Sequence, residues 1–216
     1  MVHWPESMLS YEVNSKILFS QDIFGGFGAL DGNIFDDEQG DFEALETEIR
    51  RYYSNIVGKH SKSANMALNK LKDLEIDMIC PVHGPIWRKS PEKIINLYKK
   101  YANHETDPGI VIAYGSMYGT NAKMADYLAR ELVNNGINNI CVFDVSKTNI
   151  SYILSEVWRY NGLILGSCTY DNRAYPKMTD LMNILEMNKI ENHYLGIFGS
   201  FSWSGGGVKE IREFSE

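Results

Sequence analysis

Cysteine is scarce in this chain, and long apolar runs are missing. The three cysteines, Cys80, Cys141 and Cys168, share no CxxC spacing, and each sits in an apolar run. They read as buried small hydrophobes, which excludes a disulfide framework and suits a reducing, cytoplasmic setting. No stretch approaches the ~18 apolar residues of a membrane span. The opening Met-Val-His-Trp-Pro has neither the basic region nor the apolar core of a signal peptide. Positive charge is also in deficit: Lys plus Arg total 21 against 28 Asp plus Glu, a net charge of −7. That balance argues against nucleic acid as a partner. There is no internal repeat and no low-complexity tract, and 44% hydrophobic residues with 23% charged describe a chain that folds around a core.

Two folded regions are expected, 1–105 and 106–216. Before the junction, residues 91–101 carry Ile94, Leu97, Tyr98 and Tyr101 at helical spacing, with Ser90 as N-cap and Pro91 at the first helical position. After it, Thr106-Asp107-Pro108-Gly109 reads as a turn that launches a strand. In the first region, short strands at 11–13 and 16–20 flank Asn14-Ser15 as a hairpin, and Asp22 falls just past the second strand, beside Gly25-Gly26-Phe27-Gly28. Helices are expected at 41–56 and 63–74. A strand at 76–82 then delivers His83, Gly84 and Pro85.

The second region alternates strands at 110–114, 139–145, 163–166 and 194–199 with helices at 122–134, 150–160, 175–187 and from 206 onward. That is the α/β pattern of a doubly wound parallel sheet, which takes ligands beyond the carboxyl ends of its strands. The first strand ends in Gly115 and then Ser116, Met117, Tyr118, Gly119, Thr120 and Asn121. Glycines bend the backbone, the hydroxyls of Ser116 and Thr120 can donate to phosphate, and the next helix points its positive end at the anion. With no Walker lysine and no GxGxxG spacing, a monophosphate fits better than a triphosphate or a dinucleotide. Two further strand ends carry Ser167, Cys168, Thr169, Tyr170, Asp171 and Asn172, and Ser200, Phe201, Ser202, Trp203, Ser204 and Gly205. Each offers backbone amides and an aromatic face, as a flat heterocycle requires. Three such loops on one sheet point to FMN. The region resembles flavodoxin, and by that resemblance it lacks the last strand and helix.

Of five histidines, His60 and His104 lie in polar contexts and read as solvent-exposed, and His193 precedes a strand. His3 in His3-Trp4-Pro5-Glu6, His83 in Val82-His83-Gly84-Pro85, and Asp22 in Gln21-Asp22-Ile23-Phe24 stand apart. In this order and spacing they resemble the second half of the metallo-β-lactamase-type domain of flavodiiron proteins (A-type flavoproteins), a family that places a flavodoxin domain directly downstream. The resemblance covers nearly the whole chain. It implies that residues 1–105 are the C-terminal half of an αββα domain, and that His3 and His83 are each a terminal ligand to one iron while Asp22 bridges two non-haem irons. These three are the expected catalytic and metal-binding residues.

The family's remaining ligands lie on an upstream His-x-Glu-x-Asp-His motif, which this sequence lacks. The expectation is an internal piece of a longer protein whose first sheet would cover the strands at 11–19; the alternative is a split protein completed in trans. The resemblance further implies reduction of O2 to water or NO to N2O with FMN relaying electrons from rubredoxin or a flavin or F420-type donor, in a head-to-tail homodimer. The competing reading is an FMN-binding electron carrier or an inactive fragment without a complete metal site. A zinc hydrolase is disfavoured, because hydrolysis has no use for a flavin.

Overall fold

Period-two burial organises the first sheet. A computed structural model describes residues 2–216, which form two compact units that divide between Glu105 and Thr106. In the first, β1 (Ser10–Glu12) pairs antiparallel with β2 (Ile17–Gln21), and β2 pairs parallel with β3 (Met78–Pro81). Along β2, Leu18 and Ser20 are buried while Phe19 and Gln21 are exposed. Successive side chains of a strand point to opposite faces, so one face is packed and the other carries half-exposed Phe19 opposite Cys80.

Helix α1 (Phe42–Tyr52) is capped by the Asp41 carboxylate, which accepts from Glu43 N–H. It runs on as expected but widens into a π-helical segment, Tyr53–Val57, before α2 (Ser61–Leu71). Helix α3 (Pro91–Ala102) starts at its proline and buries Ile94, Tyr98 and Tyr101, whereas Leu97 is only half-buried. Ser90 makes no capping bond with its side chain. The Asp36 carboxylate works there instead, accepting the backbone N–H groups of Arg88, Lys89 and Ser90 at 3.0, 3.1 and 3.1 Å. Two surface readings are corrected: His60 and His104 are half-buried, and His60 keeps a buried Nε2 with no hydrogen-bond partner. Burial, then Lys59, lowers the His60 pKa. Among the cysteines only Cys168 is fully buried; Cys80 and Cys141 lie half-exposed at sheet positions.

In the second unit, β4 (Asp107–Gly115), β5 (Ile140–Asp144), β6 (Tyr160–Tyr170) and β8 (Tyr194–Ser200) form a parallel sheet in the order β5-β4-β6-β8. Counted along the chain that is 2-1-3-4, the start of the flavodoxin-like doubly wound order. The central strand is covered on both faces, since the consecutive residues Val111, Ile112 and Ala113 are all fully buried. The connecting helices are α4 (Thr120–Asn134), α5 (Ile150–Arg159) and α6 (Pro176–Met187), followed by α7 (Gly206–Phe214).

Two expectations give way here. Pro108-Gly109 is not a turn but part of β4, accommodated by a register irregularity between Asp107 and Ile110, and bare Gly109 leaves room for the Tyr160 ring. Strand β6 follows α5 directly and spans eleven residues. It absorbs Ser167, Cys168, Thr169 and Tyr170, and folds back through the two-residue strand β7 (Arg173–Ala174).

Because Ile112 is fully buried in the central strand, Ile112→Ala is expected to destabilise this unit by about 2–5 kcal/mol. Urea unfolding monitored by circular dichroism should show a lower midpoint with an unchanged slope.

Candidate metal and flavin sites

The three metal-type residues meet at one carboxylate. Asp22 lies one residue beyond β2 and is 9% exposed. His3 Nδ1 sits 2.9 Å from its Oδ2, and His83 Nε2 sits 3.7 Å from its Oδ1. The Tyr52 hydroxyl donates to Oδ1 at 3.4 Å from α1. His83 leaves the sheet just after β3, where Val82 N–H donates to Gln21 O at 3.0 Å, so pairing of β2 with β3 carries Asp22 and His83 side by side. The backbone around them is strained. His3, Gln21 and Phe24 have φ of 71°, 56° and 70°, and Gly84 has φ of 78° with no room for a Cβ against Gly26 N. Such outliers persist only where surrounding contacts over-determine them.

Those contacts are side chains satisfying buried carbonyls. Ser20 Oγ donates to Ile23 O at 2.7 Å, Trp87 Nε1 to Phe24 O at 3.0 Å, and the Tyr98 hydroxyl to Gly25 O at 3.0 Å. Aromatic rings pack behind them: Tyr98 lies 5.1 Å from Phe24 and from Tyr53, and Tyr52 lies 5.7 Å from His83. Burial and then the Asp22 carboxylate push the Tyr52 hydroxyl pKa far up, and burial does the same to Tyr53 and Tyr98.

In the second unit the expected phosphate turn leaves β4 at Gly115 and enters α4 at Thr120. Gly119 adopts φ of 83°, and its N–H donates to Ser116 Oγ at 3.1 Å. No side chain caps α4, so its first N–H groups open toward this turn. Tyr118 is almost fully exposed and Met117 half-exposed. Asn121 is fully buried and turns its amide back onto Gly115 O at 2.9 Å, tying the turn rather than presenting a group at its surface.

The other two clusters are not separate loops. Ser167 and Cys168 are buried within β6; Ser167 Oγ donates to Cys168 O and accepts from Tyr175 N–H, both at 2.8 Å. Asp171 and Asn172, with φ of 46° and 60°, make a two-residue turn of the mirror-image type between β6 and β7. Ser204 Oγ donates to Asn172 Oδ1 at 2.9 Å, and Gly207 N–H donates to Thr169 Oγ1 at 3.2 Å. Gly206 has no space for a Cβ against Asn172 O. Around this joined turn Tyr170, Phe201 and Trp203 are exposed, with Ser200 at the end of β8, and Ser202 exposed and Gly205 half-buried.

Comparison with known proteins covers almost the whole chain. Residues 1–84 match the ODP family beta lactamase. The anaerobic nitric oxide reductase flavorubredoxin of Salmonella typhi is 34% identical over 98% of the chain. The rubredoxin oxygen:oxidoreductase of Desulfovibrio gigas superposes with a TM-score of 0.93 at 32% identity over 99% of the chain, and the flavodiiron protein of Giardia intestinalis with 0.93 at 25% over 99%. The chain belongs to the flavodiiron protein family. It spans 44% of the Salmonella relative, 54% of the Desulfovibrio protein and 52% of the Giardia protein.

For a flavodiiron chain, the described residues hold a partial donor set: no group of three or more His, Cys, Asp or Glu side chains stands ready to hold a metal ion. His3 and Asp22 instead bond to each other. The side chains that hold the Asp22 loop, Trp87, Tyr98 and Tyr52, were missed as site residues. Only their spacing from Asp22 and His83 within aromatic, apolar runs was available to point to them.

Two outcomes follow from this loop. Trp87→Phe strips the side-chain donor on Phe24 O and is expected to cost about 1–3 kcal/mol in denaturant unfolding. Tyr52, Tyr53 and Tyr98 ionise near the ordinary value of 10.0 when unfolded and well above it when folded. Their contribution to stability is therefore complete below pH 10 and is lost as pH rises toward the folded values. Ultraviolet titration should show three tyrosines that form phenolate only as the fold melts.

Proposed function

We propose that this chain serves an oxidoreductase that reduces O2 to water or NO to N2O at a pair of non-haem irons, with FMN relaying the electrons. The observation that carries the reading is Asp22 held between His3 and His83 in a chain whose second unit is a doubly wound sheet with glycine-and-hydroxyl turns at its strand ends. The relatives support it: the Salmonella protein is an anaerobic nitric oxide reductase flavorubredoxin, and the Desulfovibrio protein a rubredoxin oxygen:oxidoreductase.

The second unit suits FMN. Ser116 and Thr120 hydroxyls and the open N-terminus of α4 would take the phosphate. Tyr170 and Trp203, both exposed beside the turn at 171–172, would face the ring system. When bound, FMN accepts electrons in pairs and passes them on singly. Small electron carriers such as rubredoxin, or a flavin or F420-type donor, are the proposed source. A head-to-tail homodimer is the proposed assembly.

The first unit suits iron only in part. Imidazole and carboxylate are appropriate donors, and His3, Asp22 and His83 are the residues that would hold metal here. Three donors are nevertheless too few to fill two coordination spheres. That shortage is the specific observation favouring the second reading, a flavin-binding carrier without a working metal centre.

Anaerobic purification, flavin extraction and metal analysis test both. The 216-residue chain alone is expected to bind one FMN and well under two irons, and to consume neither gas. The protein carrying a full donor set is expected to consume O2 or NO under a reduced electron donor. Failure to consume either gas with FMN and both irons loaded would overturn the oxidoreductase reading.

A further inference from the structure

Glu210 is a half-buried carboxylate on α7 whose oxygens are taken up by three residues on two other segments. Ala174 N–H donates to Oε2 at 2.9 Å from β7, and Arg173 donates through Nε to Oε2 and through its terminal nitrogen to Oε1, both at 3.3 Å. Thr179 Oγ1 donates to Oε1 at 3.0 Å from the second turn of α6. A surface ion pair with Arg173 alone would be worth little. Here a single carboxylate takes a backbone N–H, a hydroxyl and a guanidinium, and charge-assisted bonds of this kind are the strong ones.

What it holds is one wall of the proposed site. Arg173 and Ala174 are the return strand of the turn at Asp171 and Asn172. That turn is joined to the loop before α7 by Ser204 on Asn172, by the close approach of Gly206 to Asn172 O, and by Gly207 N–H on Thr169. Glu210 lies one helical turn along α7 from Gly206 and Gly207. The carboxylate thus closes a ring that runs from α7 through β7 and the turn at 171–172 to the loop at 201–205 and back to α7. Both segments bearing the exposed aromatics Tyr170, Phe201 and Trp203 belong to that ring. The phosphate turn at 116–121 does not: its side-chain bonds run to Gly115 and Ser116, and it meets β6 through the Gly115–Ser167 pairing of the sheet.

We propose that Glu210 is the positioning residue of the flavin-ring half of the site. It fixes the turn at 171–172 and the loop at 201–205 as one body, independently of the phosphate half. The proposal rests on the FMN reading above. It separates two contributions that a flavin site usually mixes: substitution of Glu210 weakens recognition of the ring and leaves recognition of the phosphate intact.

The test uses the full chain and two probes, FMN and riboflavin, which share the ring and differ by the phosphate. Glu210→Ala is expected to weaken both by the same factor, about tenfold, leaving the FMN-to-riboflavin affinity ratio unchanged. The visible circular dichroism of the bound flavin should shift as the ring environment loosens. Thr179→Val and Arg173→Ala each remove one donor, and each should give a smaller loss in the same direction. They keep the proposal testable if Glu210→Ala does not fold. A wild-type chain that binds both flavins while the variants bind them equally well, with unchanged spectra, overturns the proposal alone. So does a loss confined to FMN, which would place the effect at the phosphate turn. A folded wild-type chain that takes up neither flavin overturns the FMN reading and this proposal with it.

Discussion

Three consecutive backbone carbonyls, those of Ile23, Phe24 and Gly25, lie in a buried stretch with no sheet ladder to receive them. A buried carbonyl without a donor costs about 1–3 kcal/mol, so this bend after β2 exists only because side chains supply the missing donors. Ser20 serves the first from within the same segment, Trp87 the second from beyond β3, and Tyr98 the third from α3. Asp22 sits at the head of the bend, and its carboxylate faces His3 and His83 because those three bonds are made. The strained φ values at Gln21 and Phe24 are held by the same donors. Without them the chain would relax out of the left-handed region, and Asp22 would turn with it.

The second unit meets the same need by different means. The turns around its strand ends carry exposed residues, Tyr118, Tyr170 and Trp203 among them, so their backbone groups can reach water or a ligand, and what must be controlled is the relative placement of the turns. A mirror-image two-residue turn fixes Asp171 and Asn172 locally. Glycine at 206 and 207 lets α7 start against the backbone of β6 and its turn, and the Glu210 carboxylate ties the assembly at its far side. Burial and hydrogen bonding oppose each other at that carboxylate. Burial raises its pKa, but donation from Ala174, Thr179 and Arg173 outweighs it and the net shift is downward. The charge therefore persists across neutral and mildly acidic pH, and with it the tie.

Much of the architecture was legible in the chain. Strand 110–114 is an apolar run between Gly109 and Gly115, 194–199 is one that ends in Gly199, and their order and spacing with intervening helical stripes leave few topologies. Asp22 and His83 stood out because each follows a strand and precedes glycine, where a scaffold presents polar groups. Elements misjudged were those in which a residue's usual signal has a second use. Pro108-Gly109 carries turn chemistry, yet a proline early in a strand and a glycine beneath the Tyr160 ring serve equally well in β4. Ser167 and Asn121 look like surface donors, but each hydroxyl or amide is spent on a neighbouring carbonyl. Trp87 and Tyr98 read as core aromatics because they are core aromatics; that their N–H and O–H hold the Asp22 bend depends on contacts across 63 and 73 residues. Glu210, on an amphipathic helix, is indistinguishable by spacing from a solvated charge.

The two sites differ in what they tolerate. In the first unit the donors are spaced by covalent chain geometry through a strained bend, and each position is set by a buried bond with one partner. A change at Trp87 or Tyr98 therefore propagates to Asp22 although neither touches it. In the second unit the exposed aromatics sit on turns at the surface, so Tyr118 and Trp203 can vary in identity while the backbone that carries them stays put. Precision in the first unit is bought with aromatic mass, since a hydroxyl or indole N–H can be placed to within a few tenths of an ångström only on a ring that is packed on all sides. The tyrosines at 52 and 98 are there because a bend holding a carboxylate between two imidazoles needs donors that cannot move.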